Sequence, residues 1–167
     1  TAPGTFQSKP QWRGVARWLA ANGAKHVVLT SRRGRQAAGT DATVAALTDL
    51  GVRATTAACD VTDPGAAERI AATAEDRFGP ADVLVNNAGS AKWRDLDDVP
   101  DEDWQAAWDL NVMAPLRLMR ALAPGMNERG WGRIVNVAST AGKRPSASMA
   151  EYSVAKAAEL SLSRLYA

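Results

Sequence analysis

What most constrains this chain is an alternation. From residue 15 onward, short apolar runs take turns with amphipathic helical stretches. The runs predicted as strands are 26–30 (HVVLT), 53–59 (RATTAAC), 82–85 (DVLV) and 133–138 (RIVNVA). Their apolar character is continuous, as it is when both faces of a sheet are covered. Helices are predicted over 15–22, where Gly23 is the stop, and over 40–50, with Thr40 or Asp41 as N-cap and Gly51 as stop. Another runs from Thr62 or Asp63 through Phe78, with Pro64 early and Gly79-Pro80 closing it. The last two cover 102–127 and 152–167, and Pro115 is placed to start a new turn or kink the first of these. This spacing implies parallel strands joined by right-handed crossovers. The expected fold is a doubly wound α/β parallel sheet, and no linker or repeat divides 1–167 into more than one domain.

Composition narrows the function classes. Apolar residues are 46% and charged residues 23% of 167, an ordinary globular balance. Twenty basic against 18 acidic side chains leave a net charge of +2, which gives no reason to expect nucleic acid or an anionic membrane as partner. Cys59 is the single cysteine, which excludes an intrachain disulfide and fits a reducing cytoplasm. No apolar stretch approaches the ~20 residues of a membrane span, and the start carries no signal pattern, so a soluble intracellular protein is expected. His26 is the single histidine, which excludes a metal site built on several histidines, and no metal is expected.

In doubly wound sheets ligands sit outside the carboxyl ends of the strands. The residues after each strand are therefore the candidates. Ser31, Arg32 and Arg33 follow the first. An acidic residue at this place holds ribose hydroxyls, whereas arginine accommodates a 2′-phosphate, which points to NADP(H) over NAD(H). A solvated basic loop explains the same residues equally well. Asp60 and Val61 follow the second strand. The carboxylate can accept from an adenine amino group, or simply open the turn into the next helix, and taken alone the turn is the commoner use. Asn86-Asn87-Ala88-Gly89 follows the third, where small residues let a ligand approach the backbone and asparagines can hold neighbouring backbone groups. An ordinary turn has the same composition.

Ser139 follows the fourth strand, and thirteen residues on stands Tyr152, with Lys156 four beyond it. Positions i and i+4 share a helix face, so phenol and ammonium project together. An ammonium beside a phenol favours the phenolate and makes a usable general acid near neutral pH. By itself a Tyr-x-x-x-Lys pair is more often an amphipathic surface helix.

Together these strings resemble the short-chain dehydrogenase/reductases. LVNNAG at 84–89, LNVMAP at 110–115, GRIVNVAS at 132–139 and YSVAK at 152–156 stand in that family's order and spacing, over roughly residues 14–167. The tail also resembles the 3-oxoacyl-carrier-protein reductase branch. GAKHVVLTSRRG and AACDVTD are similar to the ketoreductase domains of polyketide synthases, which carry asparagine where this chain has Lys156. The resemblance implies a Rossmann-type fold and a catalytic set. Tyr152 is the general acid or base, Lys156 lies beside it and holds the nicotinamide ribose, and Ser139 orients the substrate oxygen. Asn111 organises a water in a proton relay. Asn87, Ala88 and Gly89 line the adenosine–ribose path, and Asp60 and Val61 the adenine. The substrate is a small carbonyl or alcohol, and the helical stretches 102–127 and 152–167 form a homo-oligomer interface.

The sequence departs from that family at both ends. The family opens with a strand and a Thr-Gly-x-x-x-Gly-x-Gly loop, whose amides meet the pyrophosphate. Here no glycine lies between Gly4 and Gly14. Lys9, Pro10 and Trp12 stand where small residues are needed, and Trp12 is expected to fill the pyrophosphate space. Residues 1–5 (TAPGT) do not read as a strand, so a gap is expected in the middle of the sheet. The chain stops after the tyrosine helix, making the expected fold incomplete at both ends. Two readings follow. One is an NADP-dependent oxidoreductase interconverting a ketone, such as a 3-oxoacyl group, and a secondary alcohol, with weak cofactor binding and little or no turnover expected. The other is a non-catalytic remnant that associates through its helices. A flavodoxin-like domain shares the architecture but leaves Ser139, Tyr152 and Lys156 unexplained.

Overall fold

The computed structural model describes residues 11–167. They form two compact units, residues 11–81 and 82–167, each with its own pair of parallel strands. The expected gap at the first strand rests on residues 1–5, outside the described residues, as do Gly4, Lys9 and Pro10 of the degenerate loop. No helix among the described residues is long and apolar enough to cross a membrane.

The first unit runs α1 (Gln11–Ala21), β1 (His26–Ser31), α2 (Thr40–Asp49), β2 (Arg53–Ala58) and α3 (Ala66–Phe78). β1 and β2 pair in parallel, from His26 opposite Arg53 to Ser31 opposite Ala58. The core is Ala16 of α1, Leu47 of α2 and Val52, packed against Val27, Leu29 and Ala54. Gly51 ends α2 in the left-handed region (φ 75°), donating to the Thr48 carbonyl, while Val52 donates back to Leu47.

Three helix starts differ from expectation. α1 begins at Gln11, so Trp12 and Arg13 are helical rather than part of a loop. Gly39, at φ 76°, caps α2, and Thr40 is its first helical residue. α3 begins only at Ala66, with Gly65 at its N-cap position, and the Thr62 hydroxyl donates to Asp60 in the turn before it.

The second unit runs β3 (Val83–Asn86), α4 (Asp101–Trp108), a π-helical turn (Asp109–Met113), α5 (Ala114–Glu128), β4 (Arg133–Asn136) and α6 (Ala150–Leu165). β3 and β4 pair in parallel, placing Asn86 opposite Asn136. Leu84, Met119 and Met126 make the core, against Leu118, Leu122, Ile134 and Leu162. The helix expected over 102–127 is thus two helices joined by a wider turn. Pro115 carries no N–H for the carbonyl four residues back, at Asn111. The ladder shifts just before it, and the Ala114 N–H donates to Asp109, five residues back. Pro115 then starts the new helix, in its first turn.

Candidate active site

In the first unit the loop after β1 is folded down by one glycine. Gly34 has φ 51°, and a Cβ there would stand 2.8 Å from the Ala58 Cβ at the end of β2. The Ser31 hydroxyl donates to the Gly34 carbonyl at 3.3 Å. This tight turn leaves Arg32 and Arg33 exposed. Arg35, the third arginine of the cluster, is paired with Asp41 at 2.8 Å.

Asp60 lies next along the chain from Cys59, whose N–H donates to the Ser31 carbonyl. Its Oδ1 accepts from both the Thr62 N–H (3.0 Å) and the Thr62 hydroxyl (2.7 Å). The backbone bond and then the hydroxyl bond hold the Asp60 carboxyl below its ordinary range; burial opposes them, and the charge of Arg32 adds to them. Asp60 therefore opens a turn, the commoner of its two expected uses, and the Arg32 charge acts on it. Val61 beside it is half-buried.

In the second unit α6 delivers Tyr152 and Lys156 together, as their spacing predicts. The Lys156 Nζ lies 5.8 Å from the centre of the half-buried Tyr152 ring. Lys156 itself is 3% exposed. Its ammonium donates to the Val137 carbonyl just past β4 (2.9 Å) and to Glu159 Oε2 (2.7 Å). Ser139 Oγ accepts from the Ala141 N–H at 3.2 Å, which caps a short 3₁₀ turn and leaves the hydroxyl proton for another acceptor. That turn lies flush on α6, since a Cβ at Gly142 would come 2.8 Å from the Lys156 carbonyl.

Asn111, in the π turn, is fully buried. Its Nδ2 donates to the Ala107 carbonyl at 2.9 Å. Its Oδ1 is buried and has no hydrogen-bond partner. Gly89 closes the group: a Cβ there would stand 3.2 Å from Asn111 Oδ1 and 3.6 Å from Lys156 Nζ. The glycine after β3 thus makes room for the site's own side chains. Asn87 is half-buried and Ala88 exposed on the approach to it.

Behind these residues lies a polar chain that the sequence reading missed. Asn86 Nδ2 donates to Asn136 Oδ1 (2.7 Å), and Asn136 Nδ2 to Ser163 Oγ (2.7 Å). Ser163 in turn donates to the Glu159 carbonyl (2.9 Å). Asn86 therefore holds a side chain, where the sequence suggested a backbone group. Burial pushes the Glu159 carboxyl up, and the Lys156 ammonium draws it part of the way back. The i, i+3 spacing of Lys156 and Glu159 on one helix was the available signal. Trp93 is exposed in the loop, between Lys92 and Arg94, which both grip Asp103.

The family model described as short chain dehydrogenase matches residues 13–167. Dehydrogenase/reductase SDR family member 4 of Bos taurus is 40% identical over 151 residues, covering 90% of this chain and 53% of that protein. A putative ketoacyl reductase of Streptomyces coelicolor is 38% identical over 144 residues, 85% of this chain and 54% of the relative. Among solved structures, L-sorbose reductase from Gluconobacter frateurii, complexed with NADPH and L-sorbose, matches with a TM-score of 0.81 at 36% identity, over 92% of this chain and 58% of that one. The chain belongs to the short-chain dehydrogenase family. It spans about half the length of the curated relatives it matches.

Proposed function

We propose that the chain carries the proton-transfer centre of an NADP-dependent oxidoreductase that interconverts a ketone and a secondary alcohol. The observation that carries this reading is the buried Lys156 ammonium beside Tyr152, with Asn111 Oδ1 and Gly89 converging on it. The orphaned oxygen of Asn111 and the open backbone at Gly89 suit the ribose end of a dinucleotide and its water. Exposed Arg32 and Arg33 suit a 2′-phosphate. The L-sorbose reductase bound to NADPH supports that choice over NAD, and the ketoacyl reductase supports a ketone substrate, including a 3-oxoacyl group.

The nicotinamide cofactor supplies the hydride that reaches the carbonyl carbon. Tyr152 gives its phenol proton to the carbonyl oxygen, and in the reverse direction the phenolate takes it back. Lys156 stabilises the phenolate left behind and holds the nicotinamide ribose. Ser139 donates its free hydroxyl proton to the same substrate oxygen. Asn111 Oδ1 accepts from a water that passes a proton in behind Lys156. Asn87 and Ala88 would line the adenosine–ribose path with Gly89, Asp60 and Val61 would border the adenine, and Ser31 would help hold the 2′-phosphate. The same reading takes 1–167 as one domain, places the protein in the cytoplasm, and has subunits associate through 102–127 and 152–167, where Trp108 and Val154 are exposed.

Calorimetric titration with NADPH, and with NADH alongside, tests the reading. Micromolar binding that favours NADPH is expected, with reduction of a small ketone that Tyr152→Phe lowers by about 10²–10⁴-fold. A folded protein that binds neither nucleotide overturns it in favour of the non-catalytic remnant.

A further inference from the structure

The Lys156 ammonium has three N–H donors. One is taken by the Val137 carbonyl and one by Glu159 Oε2. Both ends of the Lys156–Glu159 pair are removed from water, at 3% and 1% exposure. Such a pair is weak evidence for stability, because desolvation offsets most of the attraction. Its geometry is nonetheless well supported. Glu159 sits one helical turn past Lys156, and its carbonyl accepts from Ser163, the last link of the chain that begins at Asn86. The ionisable groups on the elements packed against α6 are Asp101, Glu102 and Asp103 of α4, the last held by Lys92 and Arg94, Asp109 of the π turn, and Arg133 of β4, whose guanidinium lies over Trp131; α6 itself adds the buried Glu151.

We propose that Glu159 is the positioning residue of the Lys156 ammonium: with Val137 it fixes two of the three N–H bonds, so that the third is left for the cofactor ribose while the ammonium stays beside the Tyr152 ring. This rests on the oxidoreductase reading for its purpose, but not for its geometry. Glu159 touches neither substrate nor cofactor and acts through Lys156. It also sets its carboxyl against an ammonium that is otherwise out of water.

The test compares the parent with Glu159→Gln, which keeps an acceptor and loses the charge. The chain has five lysines, Lys9, Lys25, Lys92, Lys143 and Lys156, so carbon-13 labelling of lysine Cε gives a short spectrum in which Lys156→Arg assigns the buried one. The Lys156 resonance is expected to move in Glu159→Gln while those of the other four lysines stay in place. Where turnover is measured, kcat falls about tenfold or more while KM for the carbonyl substrate changes little, and Glu159→Asp recovers part of the loss. An unmoved Lys156 resonance in folded Glu159→Gln overturns the proposal. Should that variant not fold, Glu159→Asp carries the test, since it keeps the charge but draws it back by one methylene; no movement of Lys156 there overturns it equally. A parent that shows the lysine shift but no turnover sinks the oxidoreductase reading and leaves the positioning role standing.

Discussion

The Asn111 amide nitrogen is bound one turn back on its own helix, to the Ala107 carbonyl at 2.9 Å, while its oxygen is buried with no partner. Asn111→Leu takes away both the bond to Ala107 and the acceptor offered to the relay water, so turnover is expected to drop at least about tenfold. Scanning calorimetry beside a ketone-reduction assay separates this from a loss of fold, and a folded variant that keeps the parent's turnover would sink the relay.

A similar separation of stability from activity follows from the Lys156–Glu159 pair. Glu159→Leu alone strands a buried ammonium and is expected to cost about 3–5 kcal/mol. The double variant Lys156→Met/Glu159→Leu removes both charges and is expected to be at least as stable as the parent, with activity gone. Urea unfolding of the four proteins of this cycle checks it. A double variant no better than the single one would mean that the pair is needed for folding.

Arg32 and Arg33 give a cofactor prediction. Each guanidinium on a 2′-phosphate is a charge-assisted contact worth about 1.5–3 kcal/mol. Arg32→Ala and Arg33→Ala should each weaken NADPH by about 10–100-fold and leave NADH within about twofold. Equal losses for both nucleotides would assign these arginines to the fold.

The acid side of the stability profile belongs to two aspartates. Asp60 is held down chiefly by the Thr62 N–H and hydroxyl, and Asp103 chiefly by Lys92. A carboxyl whose folded-state value is depressed adds stability above its unfolded value, near 3.9, and loses it as pH falls toward the folded value. The urea midpoint should fall most steeply below about pH 4. Thr62→Val, which removes one of the two bonds to Asp60, should move that fall to higher pH, and an unmoved profile would count against the turn at Asp60.

Much of this architecture can be read from local pattern. The four strands lie within a residue or two of the apolar runs, and the Tyr152–Lys156 pairing follows from helical spacing alone. The misses are places where side chains compete with the backbone. Thr62 has the chemistry of an N-cap, but it lies within the turn that Asp60 opens, and α3 starts four residues later. Asn86 looks like a turn residue until the parallel register puts it opposite Asn136. Glu159 looks like an exposed helical carboxylate, because only tertiary packing buries it.

The π turn at 109–113 has a consequence for how the second unit is phased. Each extra residue in a helix is worth about 100° of rotation. One extra residue taken up at the π turn therefore works as a slip ring between α4 and α5: the stripe each helix presents is set by its own sequence, without the constraint of a common repeat. α5 can devote Met119 and Met126 to the core, while α4 keeps Asp103 for Lys92 and Arg94. Asn111 is carried on the slip ring itself, where widening the helix is what turns a polar side chain inward. Deleting a single residue from 109–113 would restore one continuous period and swing that amide away from Lys156, though the composition of the chain would hardly change.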